Sequence, residues 1–132
     1  MEENNVEGTT SEDIKIEDSI LSSIKKLLGI SESYTNFDTD IIIHINTAIM
    51  VLHQLGIGPQ NEVFTISSKD DKWSDFINVE DDLEGIKTYI YLKVKIIFDP
   101  PQHGPTEDAF RESIKEYEWR LCHQAEMNEK GV

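Results

Sequence analysis

Between Asp82 and Asp99 the chain carries sixteen residues that are apolar in two registers at once. Ile90, Leu92, Val94, Ile96 and Phe98 alternate with Tyr89, Tyr91, Lys93 and Lys95, the period-two pattern of a strand. Leu83, Ile86, Ile90, Val94 and Ile97 also recur at helical spacing, and Asp81 and Asp82 suit a helix N-terminus. Sixteen residues exceed the length of an ordinary strand, so the expectation is a helix. On that helix Tyr89, Leu92 and Ile96 form a second apolar strip on another side. A helix that is apolar on two sides must be covered twice. One cover is the subunit's own core, and the other is expected to be a neighbouring subunit, which makes Tyr89, Leu92 and Ile96 the expected oligomer-interface residues. Asp99, Pro100 and Pro101 stop the helix, because proline lacks a donor and biases its predecessor out of the α region.

The flanking segments read as helices of simpler pattern. Ile20, Ile24, Leu27 and Leu28 share one face of a short first helix, with Asp18 or Ser19 as cap and Gly29 just past its end. Thr39 or Asp38 can cap a second run in which Ile41, Ile45, Ala48, Ile49, Leu52 and Leu55 recur every three or four residues, ended by Gly56, Gly58 and Pro59. Val63–Ser67 is β-branched or aromatic at several positions and fits a small hairpin or an ordered loop. Thr106 opens a last helix with Phe110, Ile114, Tyr117 and Leu121 on one face. Glu107 with Arg111 and Glu116 with Arg120 are favourable pairs four apart, each contributing about 0.3 kcal/mol. That helix is expected to fray after Ala125. The fold class is therefore mainly α: a small bundle of about four helices, with a loop or small hairpin between the second and third long segments.

A chain of 132 residues is sized for one domain with one modest core. It carries 26 Asp and Glu against 12 Lys and Arg, a formal net charge of -14. That charge argues against a generic nucleic-acid binder, which needs a basic patch, but is compatible with a passage through which DNA slides. No apolar run approaches the ~20 residues that span a bilayer, and no basic-then-apolar leader opens the chain. The expectation is a soluble protein kept in a cytosol. Cys122 is the only cysteine, which rules out an intrachain disulfide.

Residues 1–18 hold seven acidic residues and one Lys, too polar to offset their ordering entropy, and read as a flexible or partner-ordered arm. Residues 19–126 form the folded domain, and 127–132 a C-terminal tail. A second acidic stretch, Asp70 to Asp82, is expected to be exposed, with Trp73 and Phe76 as loop anchors into the core.

Catalysis finds little support. His44, His53, His103 and His123 lack the spacing of a metal site, and Gly56-Ile57-Gly58-Pro59 lacks the Lys-Ser/Thr of a phosphate loop. Cys122 and His123 are consecutive, so on a helix they point about 100° apart. Asp70, Asp71, Asp75, Glu80, Asp81 and Asp82 lack calcium-loop spacing. No enzyme activity, cofactor or metal is expected. The acidic stretch reads instead as a solvated loop or as a negative wall that repels phosphates.

The segments Ile20-Leu21-Ser22-Ser23-Ile24-Lys25-Lys26-Leu27-Leu28-Gly29-Ile30 and Phe37-Asp38-Thr39-Asp40-Ile41-Ile42-Ile43-His44-Ile45-Asn46 resemble the small head-tail connector, or adaptor, proteins of long-tailed bacteriophages. The likeness continues through Gln54 to Pro59, the Trp73-Ser74-Asp75-Phe76 cluster, Ile86 to Lys95, Phe98 to Pro101 and Glu116 to Leu121. It covers about Ser19 to Ala125. The resemblance implies a helical protomer in a ring, typically twelve-fold, beneath the portal protein in the virion neck. Such a ring extends the DNA channel and gives a stopper or tail-completion protein its landing surface. C-terminal segments in the family reach the portal, so Glu126, Met127, Asn128, Glu129, Lys130, Gly131 and Val132 are expected to contact it. Asp70, Asp71 and Asp75 are expected to line the channel. The alternative is a phage-encoded acidic mimic of DNA that occupies a host DNA-binding protein, motivated by the charge of -14.

Overall fold

The structure, a computed structural model, describes residues 15–78 and 83–129. Its five helices are α1 (Ile20–Leu28), α2 (Asp38–Gln54), α3 (Trp73–Phe76), α4 (Leu83–Phe98) and α5 (Gly104–Glu129). There is no strand among the described residues, only one isolated antiparallel bridge between Ser19 and Lys72. The expected bundle is present, with a single-turn α3 added, and of the loop and the small hairpin expected between the second and third long segments the structure has the loop.

Residues 83–98 are helical throughout, so length and helical spacing prevail over β propensity. α4 is the hub: it packs against α1, α2 and α5. The rings of Phe37 and Phe98 meet edge-on at 5.3 Å, placing the start of α2 against the end of α4. α5 runs back along α4 in the opposite sense. Gly85 faces Leu121, where an added Cβ would lie 3.7 Å from its δ2 carbon, and the Tyr89 hydroxyl donates to Glu118 at 2.8 Å. At the far end Gly56 approaches Ala125, so α2 and α5 finish together and run parallel.

The helix ends follow local chemistry. The Ser19 hydroxyl accepts from Ser22 N–H at 3.1 Å, the expected cap, and Gly29 closes α1 at φ 81°. Leu21 rather than Leu27 fills the buried face of α1, and Leu27 is exposed. Neither Thr39 nor Asp38 caps α2: the cap position falls on Phe37, without a side-chain bond, and Asp38 opens the first turn. Its carboxylate lies 2.9 Å from Lys25 Nζ. That ammonium is buried and also donates to the carbonyls of Glu32 and Tyr34, at 3.1 and 2.8 Å. One cation thus fastens the α1–α2 connection to both helices, and two hydrogen bonds and an ion pair offset the cost of burying it.

The long connection from α2 to α3 is held by two polar clamps. Asn46 donates to the Ile66 carbonyl at 3.0 Å and accepts from its N–H at 2.8 Å, which satisfies that backbone while Ile66 enters the core. Trp73 is fully buried, as expected of an anchor, and its indole donates to Ser23 Oγ at 3.1 Å. Ser23 passes a hydrogen bond on to the Ser19 carbonyl at 2.7 Å.

Two expected boundaries shift. Residues 15–18, assigned to the flexible arm, lie along α3: Ser74 N–H donates to Ile16 O at 2.7 Å and Trp73 N–H to Asp18 O at 3.1 Å. Residues 1–14 of the arm lie outside the described residues. α5 begins at Gly104 rather than Thr106 and continues past Ala125 to Glu129, so residues 127–129 are helix and not tail. Residues 130–132 are outside the described set.

Gly58 adopts φ 85°, and a Cβ there would overlap the Phe76 ring, itself stacked on Phe64 at 5.2 Å. Gly29 has φ 81° with open space around it. Gly58→Ala is expected to lose about 3 kcal/mol through strain plus overlap, and Gly29→Ala about 1 kcal/mol through strain alone. Urea midpoints of the two variants check the difference. Burial raises the pKa of Tyr89 above its ordinary 10.0, and the hydrogen bond and charge of Glu118 raise it further. The folded state therefore holds the phenol neutral. Its contribution is complete below pH 10 and falls as the pH rises above the unfolded value. Tyr89→Phe is expected to cost about 1 kcal/mol at neutral pH and to make the alkaline loss of stability shallower, measured by urea unfolding between pH 8 and 12.

Candidate functional site

Among the described residues no group of three or more His, Cys, Asp and Glu side chains is placed to hold a metal ion. His53 Nδ1 lies 3.1 Å from the Pro59 carbonyl, His103 Nδ1 lies 3.3 Å from Thr106 Oγ1, and His123 stacks on Trp119. Cys122 is half-buried and free. No described helix is long and apolar enough to cross a membrane.

The second strip of α4 is largely covered within the subunit. Tyr89 is 0% exposed and Leu92 8%, and Ile96 is half-buried against the same core. α5 supplies the second cover from within the same chain, through Leu121 and Glu118. Tyr89 and Leu92 are therefore core residues and not the interface residues expected, and of the three only Ile96 keeps surface outside the core. The requirement for two covers was sound, and the cover is intramolecular because the last helix is long enough to run back along α4.

On α4 Ile97 is 53% exposed although it shares the helical register of Leu83, Ile86, Ile90 and Val94, and further exposed apolar side chains lie on other elements. On α2, Ile43 and Met50 are 55% and 45% exposed, on the side opposite the buried Ile41, Ile45, Ala48, Ile49 and Leu52. Thr47 lies between them, and its hydroxyl donates to the Ile43 carbonyl at 3.0 Å. On α5, Trp119 is 69% exposed and Met127 42%, with His123 between them. The Trp119 and His123 rings are parallel to within 3°, at 5.5 Å. A third patch joins Tyr34 to Phe37 at 5.6 Å, beside Phe98. These positions were visible in the sequence only as apolar residues that fall off the core-facing stripe of their helices.

The acidic residues of the 67–75 loop have local tasks. Asp71 Oδ2 accepts from Ser67 and Ser68 N–H at 2.7 and 3.2 Å, and Asp75 Oδ2 accepts from Lys72 N–H at 2.9 Å, completing the start of α3. The Asp70 carboxylate is exposed and, among the described residues, enters no hydrogen bond or ion pair.

An open groove of about 950 Å³ lies between residues 55–60, residues 74–78 and the end of α5. It brings Asp75 to the same surface as Glu126 and Asn128 of the expected portal-contact segment. Met127 is exposed beside them, and Glu129 is the last helical residue. Lys130, Gly131 and Val132 lie outside the described residues.

Compared with known proteins, the chain matches the family model described as phage connector protein over residues 20–128. No curated protein and no solved structure matches it. The matched span runs from the first residue of α1 to the last turn of α5 and so takes in every helix of the bundle. With well over half of its length matched, the chain belongs to the phage connector protein family and has a structural role in the phage head–tail apparatus.

Proposed function

We propose that the protein forms a ring in the virion neck beneath the portal, joining head to tail and extending the channel through which DNA leaves. The observation that carries this reading is the family match over residues 20–128. The subunit then acts by shape and charge, not by catalysis. Twelve copies per ring is the number that the resemblance implies. The portal takes the end of α5 and the residues after it, Glu126 to Val132, and a stopper or tail-completion protein takes the opposite side of the ring. Before assembly the subunits accumulate in the host cytoplasm.

In this reading the 67–75 loop faces the channel, and repetition around the ring turns a few carboxylates into a continuous negative wall. Phosphates are repelled over about 8 Å at physiological salt, so the duplex moves without being held. Asp71 and Asp75 serve the loop's own geometry as well as its charge, whereas Asp70 carries charge alone. The acidic-mimic alternative has no observation in its favour beyond the net charge, and family membership favours the connector.

Mass spectrometry of purified particles of the encoding phage, with imaging of the neck, is expected to find the chain as a ring under the portal; its absence from particles rejects the connector reading. Asp70→Lys leaves the two loop-holding carboxylates in place. It is expected to slow DNA ejection at low salt and to be nearly silent at high salt, by real-time ejection assay. Equal rates at both salts place Asp70 outside the channel.

A further inference from the structure

We infer that the outer stripe of α5 in one copy docks in parallel on the outer stripe of α2 in the next copy, a head-to-tail contact between two different surfaces of the same chain. The inference rests on the connector reading and assigns its subunit interface. Ile43 and Met50 on α2, and Trp119 and Met127 on α5, are large apolar side chains left exposed on helices whose opposite faces are already buried. The two stripes have similar lengths, about 10 Å over seven residues and about 12 Å over eight. Thr47 contributes a methyl group only, because its hydroxyl is satisfied within α2. The parallel stack of Trp119 on His123 holds the indole in one orientation, which reduces the entropy lost on docking.

The occupant is a second copy because charge and direction agree. One turn before Ile43 stands Asp40, exposed and without an ion pair among the described residues. One turn before Trp119 stands Lys115, three-quarters exposed, whose carboxylate partner Glu112 is 3.9 Å away and equally exposed. Laid side by side in parallel, the stripes bring Lys115 opposite Asp40 and the apolar residues opposite one another. Laid antiparallel with the same apolar residues opposed, they carry Asp40 past Met127 and bring Lys115 opposite Gln54, so the Asp40–Lys115 pair is lost. Within one protomer α2 and α5 already run in the same direction, as the meeting of Gly56 with Ala125 shows. A rotation about an axis along the helices preserves that direction from copy to copy. A head-to-tail contact covers both stripes at every junction and continues from copy to copy around a ring, whereas an isologous dimer closes after two copies.

The test uses the full-length chain with Cys122→Ser, carrying either Asp40→Cys or Lys115→Cys. Under mild oxidation at high protein concentration, a mixture of the two variants is expected to give disulfide-linked pairs containing one of each, while each variant alone remains uncrosslinked. A chain carrying both cysteines is expected to give a ladder of multimers. Disulfide pairs from one variant alone, or no cross-link in the mixture, overturn the assignment. Trp119→Ser provides a second reading, because the exposed indole contributes little to the protomer: sedimentation is expected to show loss of self-association with the melting temperature unchanged, and unchanged association overturns the inference. Failure of these experiments with the chain still present in virions rejects the contact and leaves the connector; absence from virions rejects the connector itself.

Discussion

The architecture depends on the burial of α4 on two sides. A helix with apolar strips at Leu83, Ile86, Ile90 and Val94 and again at Tyr89 and Leu92 is stable only between other elements, and α2 and α5 are those elements. Each large side chain removed from water in this way contributes about 1.5 to 3 kcal/mol, so losing either cover would expose more than so small a domain can tolerate. The Pro100-Pro101 break makes the second cover available, by ending α4 and letting α5 return along it. α2 and α5 are thereby held to one direction. Their outer faces are kept apart by the helix between them, and are free to meet something else.

Much of this was readable from spacing and from residue chemistry at helix ends. The Ser19 cap, the Gly29 stop, the glycines after α2 and the helical state of residues 83–98 all follow from local rules. The expectation of two covers on α4 was also correct in number. It failed in assigning the second one, because periodicity counts the apolar sides of a helix and carries no information on which chain meets them. The length of α5 beyond Ala125 was hidden for a related reason. Its last turns are polar, and they persist through helix propensity and the contact of Ala125 with Gly56 rather than through an apolar stripe.

Polar interactions were the least legible class. Lys25 reads as a surface residue in any composition argument, yet it is buried against two carbonyls and a carboxylate brought together only by the turn after α1. Asn46 looks like an interruption in an apolar run and is the residue that orders Ile66, twenty positions away. Asp71 and Asp75 read as free charge, whereas each accepts backbone N–H groups that would otherwise lack a partner. A net charge of -14 therefore overstates how much of the acidity is available to repel a polyanion, because part of it is engaged in local geometry.

The pairing of residues 16–20 with 71–74 bears on the order in which the chain can fold. Ile20 N–H donates to Asp71 O, Trp73 N–H to Asp18 O and Ser74 N–H to Ile16 O, all across more than fifty residues. The α4–α5 hairpin, by contrast, brings together residues joined by a five-residue connection. Closing the longer loop costs more chain entropy and gains little until α2 and Trp73 are in place, so the hairpin forms early and the junction at α3 closes late. The same asymmetry makes that junction the first part of the subunit to open, while α1, α2, α4 and α5 keep their contacts with one another.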